Sequence, residues 1–249
     1  MSPRAVAVIQ ARMTSTRLPG KVMMPLAGKP LLERMAERVA RTAGLAAVCI
    51  AIPEGDTHRP LADLARAAGW AVVEGPEDDV LRRYRMAADA TGADYVLRAT
   101  SDCPFIDPDV CAAVLAMTVA PNAPYGRTAI DTGYPLGLDL EVISAEALRE
   151  ADTEAADPFE REHVTPFIWR RPERFGCLML DRRPDRRAWR LTVDQREDYD
   201  LATAIYDAAF PAHPHFDFDW LEKFLLQRPD LLALNAHIGK PAYTGWTRS

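Results

Sequence analysis

Short apolar runs alternate with stretches of helical period through the first half of this 249-residue chain. Residues 5–10 (Ala-Val-Ala-Val-Ile-Gln) read as a buried strand. Over residues 30–43, Leu31, Leu32, Met35 and Val39 recur at helical spacing. Val48 to Ile52 reads as the next strand, stopped by Pro53. Residues 58–68 read as a helix ended by Gly69, and residues 70–73 as a short strand. A helix follows over 78–91, with Asp78 and Asp79 in its first turn, where the helix dipole favours them, and Gly92 at its end. Residues 93–97 read as a fourth strand and 107–118 as another helix. Strand and helix alternating in this way predict an α/β fold, a mostly parallel open sheet with helices on both faces.

The pattern weakens afterwards. Residues 120–140 hold three Pro and three Gly with no clear period, and read as an excursion from the sheet. Helical patterns return at 145–151 and 159–170, strands at 175–180 and 189–193, and helices at 196–209 and 218–227. There is no internal repeat, low-complexity tract or linker. One domain over 1–249 is expected, with residues 120–170 as an inserted arm and acceptor region.

Composition narrows the function classes. An apolar fraction of 48% suits a sizeable core. The net charge of −6 and the pI near 5.4 argue against a nucleic-acid polymer as partner. Basic residues cluster over 161–190, but acids are interspersed, which reads as a solvated surface. The four cysteines form no C-x-x-C pair and no zinc-type spacing with histidine. No apolar run approaches a membrane span or a secretory core, so a reduced, cytoplasmic protein is expected.

The chemistry concentrates after the first strand. Residues 9–21 read Ile-Gln-Ala-Arg-Met-Thr-Ser-Thr-Arg-Leu-Pro-Gly-Lys, a loop with the cations Arg12, Arg17 and Lys21. Open α/β sheets bind ligands at the C-terminal ends of their strands, and gathered cations there suit a compact polyanion. The loop is not a Walker A motif: Ser15 stands where the first Gly should be, and Val22 follows Lys21. No G-x-G-x-x-G occurs, which removes support for a dinucleotide site.

The loop resembles the nucleotide-binding loop of the cytidylyltransferases that make CMP-sugar acids, closest to the branch of the spore-coat polysaccharide biosynthesis protein F. Ile9, Gln10, Ala11, Arg12, Ser15, Arg17, Leu18, Pro19, Gly20 and Lys21 match that family's pattern. Sugar-phosphate nucleotidyltransferases open the same region with Gly-Gly instead. The resemblance covers about residues 4–205; the tail 206–249 adds no motif. It implies a Rossmann-like nucleotidyltransferase fold, CTP as substrate and Mg²⁺ as cofactor. It also implies pairing as a homodimer through the arm.

Three further stretches extend the resemblance. Arg98-x-Thr100-x-Asp102-x-Pro104 and Leu191-Thr192-Val193-Asp194 resemble the family's two metal-binding aspartate motifs. Mg²⁺ takes one or two carboxylates plus substrate phosphates, and an Asp ending a strand is placed to supply one. A lone Asp also serves as a helix N-cap. Asp78, Asp79 and Arg83 match the segment that in the family lies near base and ribose; capping for the acids and solvent for Arg83 remain open. Gly137, Asp139 and Glu141, in Tyr134-Pro135-Leu136-Gly137-Leu138-Asp139-Leu140-Glu141-Val142, and Arg161 and His163, in Arg161-Glu162-His163-Val164-Thr165, match its acceptor-binding half. Gly137 would let backbone approach a ligand closely, while His163 is either an acceptor contact or a hydrogen-bonded helical histidine. Leu136 departs from the polar residue that relatives carry there, which bears on acceptor identity.

These readings combine into an enzyme that moves CMP from CTP to a small anionic acceptor and releases pyrophosphate. Arg12 and Lys21 would hold the triphosphate, and Asp102 and Asp194 the metal. Gln10, Ala11, Ser15, Arg17 and Thr100 would complete the nucleotide site. A sugar acid is the first choice of acceptor, and a phosphate or phosphonate acid the second. A nucleotidyltransferase using another NTP and a non-catalytic nucleotide-binding protein are the alternatives. Retention of both Asp102 and Asp194 speaks against the latter.

Overall fold

A computed structural model describes residues 2–128, 130–182 and 184–239. The strands are β1 (Ala5–Gln10), β2 (Pro25–Leu26), β3 (Lys29–Pro30), β4 (Leu45–Pro53), β5 (Ala71–Gly75), β6 (Tyr95–Thr100), β7 (Tyr125–Arg127), β8 (Glu141–Ser144) and β9 (Leu178–Met179). The helices are α1 (Leu31–Val39), α2 (Arg59–Ala67), α3 (Val80–Thr91), α4 (Pro108–Val119), α5 (Ala145–Glu154), α6 (Pro158–His163), α7 (Pro166–Trp169), α8 (Pro172–Phe175), α9 (Arg196–Ala209), α10 (Phe218–Leu226) and α11 (Pro229–Ala233).

Seven strands make one sheet in the order β5-β4-β1-β6-β8-β7-β9, and β2 and β3 form a separate small hairpin. The first four are parallel, β8 runs antiparallel to both neighbours, and β7 and β9 are parallel. β1 lies between β4 and β6 and is apolar on both sides, as a parallel strand covered on two faces must be. Ala5, Ala7 and Ile9 face one core with α1, α2, α4 and α9; Val6 and Val8 face the other with α3, α5 and α7. Gln10 registers with Thr100, so the loop after β1 and the turn after β6 leave the sheet side by side.

β1 and α9 occupy the residues their periodicity predicts. Other stretches differ for local reasons. Residues 125–127, inside the segment read as an excursion, return to the sheet as β7, and β8 begins directly after it. Strands of three and four residues are too short to display an alternation of their own. Residues 159–170 do not form one helix. α6 stops at Val164, which has φ +74° and ψ −57°, and Thr165 N donates to His163 O at 2.9 Å. This is a positive-φ γ-turn, a strained form for a β-branched residue. Pro166, which has no N–H to continue the ladder, begins α7 instead, with Thr165 as its N-cap. Residues 189–193 form no strand, Arg190 alone bridging to Leu136, and of 175–180 only Leu178–Met179 pairs as a strand.

Candidate active site

Gly20, in the left-handed region at φ +69°, turns the loop so that Lys21 points inward. Lys21 is only 7% exposed, and its three ammonium donors have three acceptors. They are Asp102 Oδ2 at 3.1 Å, Asp194 Oδ1 at 2.9 Å and the Val193 carbonyl at 2.7 Å. The two carboxylates meet because backbone brings them there. Val193 N donates to Asp102 O at 2.8 Å, which lays the segment before Asp194 along the turn after β6. Burial would raise the Asp102 carboxyl, but the Lys21 ammonium outweighs it and holds the group at about 2. Burial works against the Lys21 charge, and the two aspartates more than restore it.

Asp194 is held from two further sides. Arg17, half-exposed, reaches Oδ1 at 2.9 Å from the rim, and buried Arg190 reaches Oδ2 at 3.1 Å from behind. Asp198 grips Arg190 at 2.8 and 2.9 Å and accepts the backbone N–H groups of Asp194 and Gln195. Behind Asp198 stands Asn235, whose amide donates to its carboxylate at 2.8 Å and to the Arg190 carbonyl at 3.0 Å. Asp198 lies four residues beyond Asp194, in the stretch Leu191-Thr192-Val193-Asp194-x-x-Glu197-Asp198-Tyr199 that continues the second aspartate motif, but carried no role of its own from sequence. Asn235 comes from the tail, where no sequence signal marked it.

The loop is pinned at its near end. Ala11 N donates to Ala51 O, Met13 N to Nδ1 of buried His58 at 3.3 Å, and the Thr14 hydroxyl to Glu77 at 2.6 Å. His58 and Glu77 carried no assignment from sequence. Arg12 is exposed and has no ion pair among the described residues, while Ser15 lies half-buried beyond it. Arg83 is not solvated: it is buried and donates to the carbonyls of Pro76 and Glu77. Burial and the nearby Arg12 charge lower its pKa. Glu77 and Asp79 partly offset these two charges, and neither forms an ion pair with Arg12 or Arg83 among the described residues. Asp78 is exposed, and Asp79 caps α3 by accepting from Arg82 N at 3.0 Å.

On the β8 side, buried Glu141 is held by Arg98 at 2.5 Å and by the Tyr125 hydroxyl, and Arg98 extends to Gln10 Oε1 at 3.4 Å. Burial raises the Asp139 carboxyl to about 6, with Glu141 and Asp102 adding to it, against a hydrogen bond from Gly137 N at 3.0 Å. Gly137 has φ +104°, and a Cβ there would lie 2.5 Å from the Leu191 carbonyl carbon, so its missing side chain serves chain-to-chain packing. His163 packs against Phe159 with the ring centres 4.3 Å apart and the planes tilted by 56°, and its pKa is lowered first by burial and also by the Arg98 charge. Thr100 contacts Cys103 and lends a hydrogen bond to Asp102. Arg161 does not join this group. It is committed to Asp79 and Asp152.

The structure thus gathers Lys21, Arg17, Asp102 and Asp194 at one point, sets Asp139 beside Asp102, and links Gln10 through Arg98 to Glu141. No cage of three or more metal-ligating side chains exists among the described residues, so a metal here would share two carboxylates with substrate oxygens. Cations gathered beside a carboxylate pair, at the C-terminal edge of a parallel sheet, are the groups that nucleotidyl transfer requires.

The cytidylyltransferase family model matches residues 6–227, and the chain belongs to that family. It is 33% identical over 209 residues to the spore coat polysaccharide biosynthesis protein SpsF of Bacillus subtilis, covering 81% of this chain and 86% of that one. A cytidylyltransferase structure from Leptospira borgpetersenii superposes with a TM-score of 0.87 at 26% identity, covering 92% of this chain and 97% of that one. CMP:2-keto-3-deoxy-manno-octonic acid synthetase, solved with CTP, shares the fold at a TM-score of 0.64 and 18% identity, over 82% of this chain and 99% of that one.

Proposed function

We propose that this cytidylyltransferase moves CMP from CTP to a small anionic acceptor with Mg²⁺ held by Asp102 and Asp194. The observation that carries the metal reading is the convergence of both carboxylates on one cation, the Lys21 ammonium. The donor set fits Mg²⁺, which favours carboxylate and phosphate oxygens and retains waters. When bound, the metal supplies charge neutralisation on the phosphate oxygens. Arg12, Arg17 and Lys21 hold the triphosphate, and the acceptor oxygen attacks the α-phosphorus in line with the departing pyrophosphate. The remaining work is positioning and electrostatics. Asp78 and the carbonyl-bound Arg83 border the nucleotide side.

The acceptor lies on the β8 side, near Asp139, Glu141, Gly137 and His163, with Arg98, the partner of Glu141, as a nearby cation. Arg161 acts there through the Asp79 turn rather than by touching the acceptor. A sugar acid is the favoured class, in line with the likeness to SpsF. A phosphate or phosphonate acid is the second reading, favoured by the buried apolar Leu136 in the acceptor loop. The working unit is a homodimer joined through residues 120–170, and light scattering at micromolar concentration tests it, a monomer mass being the contrary result.

Pyrophosphate release with CTP, ATP, GTP and UTP across sugar acids, phosphosugars and small phosphonates tests the whole reading, with and without Mg²⁺. CTP should be consumed preferentially, and only with metal. Equal turnover of ATP or GTP with the best acceptor would overturn it.

A further inference from the structure

We infer that Lys21 is the place-holding counter-ion of the nucleotide-free site. It must leave Asp102 and Asp194 before a divalent cation can use them, so the metal enters with the nucleotide and not ahead of it. This rests on the reading of the two aspartates as metal ligands.

Space argues for exclusion. The Lys21 nitrogen sits 3.1 Å from Asp102 Oδ2 and 2.9 Å from Asp194 Oδ1. A Mg²⁺ ion needs oxygens at about 2.0–2.1 Å, so an ion shared by the same two oxygens would fall on the ammonium. The two cations are alternatives.

Charge argues in the same direction. Asp102 and Asp194 are balanced by Lys21 and Arg17, while Arg190 is balanced by Asp198. These three acids and three bases cancel, and a bare dication added to them would leave an excess of positive charge. Displacing Lys21 alone would leave a 7%-exposed ammonium without a counter-charge, which is costly. A triphosphate removes both penalties. It offers Lys21 and Arg17 new anionic partners and brings more negative charge than one metal ion cancels. Lys21 is suited to the exchange because its charge rides on a flexible four-carbon stem at the end of the loop that carries Arg12 and Arg17.

The probe is Mn²⁺, counted by the paramagnetic signal of the free ion, with no nucleotide present. Wild-type protein should leave most Mn²⁺ free at concentrations where Lys21→Met, which keeps the stem and removes the charge, binds it stoichiometrically. The expected gain in affinity is at least about tenfold, from two carboxylates no longer opposed by an ammonium. Lys21→Gln should behave alike and guards against a folding defect peculiar to Met. Wild-type protein that binds Mn²⁺ as tightly as the variants would overturn the place-holder inference. Adding Asp102→Asn to Lys21→Met should abolish the gained affinity. If it does not, the aspartates are not the ligands and the metal reading itself fails.

Discussion

Arg161 grips Asp79 at two points, with Nε 3.0 Å from Oδ1 and Nη2 2.6 Å from Oδ2. The same guanidinium reaches the Asp152 carboxylate at 2.5 Å and its carbonyl at 2.7 Å. One side chain from α6 therefore ties the end of α5 to the cap of α3, and the turn before that cap carries Glu77, which holds the loop after β1 through Thr14. Arg161→Ala should lower stability by about 1–3 kcal/mol, because it takes a charged partner from two partly buried carboxylates, leaving Asp152 with Arg85 and Asp79 with the Arg82 N–H alone. Urea denaturation measures it. Unchanged stability with a raised acceptor KM would mean instead that Arg161 serves the acceptor.

Asp102→Asn and Asp194→Asn should each reduce kcat/KM by at least about a hundredfold while the fold persists. Asp194→Asn should also cost more stability, since Arg17, Lys21 and Arg190 all converge on it. Steady-state kinetics beside circular dichroism separates these effects. Wild-type turnover in either variant would remove that residue from the reacting centre.

His58 acts on the loop by accepting a backbone hydrogen bond from Met13. His58→Ala should raise the KM for CTP several-fold, about 1 kcal/mol for the lost bond, and leave kcat nearly intact. His58→Asn, whose amide oxygen can replace Nδ1, should recover part of it. Equal kinetic effects of the two variants would argue that only bulk is required at that position.

Acid titration should separate Asp139 from Asp102 in the metal-free, nucleotide-free enzyme. The Asp139 carboxyl lies near 6 when folded, above its ordinary 3.8, so its ionised form costs stability above that window. Lowering the pH from 7 towards 4 should relieve about 2 kcal/mol, and Asp139→Asn should remove this gain. Asp102 has the opposite sign: held near 2, it stabilises above pH 3.8, and that contribution fades as pH falls through 2. Chemical denaturation across pH, wild type against variant, measures both. A profile unaltered by Asp139→Asn would show that the carboxyl is not held protonated by the fold.

Local pattern carried β1, α9 and the alternation that built the parallel half, because those segments bury a full period of their own. It could not carry β7 or β8, which are strands through pairing rather than through alternation. Residues 9–21, Asp102 and Asp194 were nominated by motif. Their meeting was not legible, since it depends on a hydrogen bond between Val193 and Asp102, 91 positions apart. Arg161 shows the opposite limit. Its neighbours in sequence pointed to an acceptor, and its partners in space, Asp79 and Asp152, were legible from no spacing along the chain. His58, Glu77 and Asn235 belong to no recognisable spacing, because each acts on backbone or on another residue's carboxylate.

Asn235 gives the tail a consequence for how the gene can be cut. The family match ends at residue 227, and a chain trimmed there would keep every motif read from sequence. It would lose the amide that steadies Asp198 and, through Arg190, Asp194. Domain boundaries drawn by homology would thus yield a fragment with its signature whole and its scaffolding missing. Truncations, fusions and swaps between relatives need to carry the segment through Asn235.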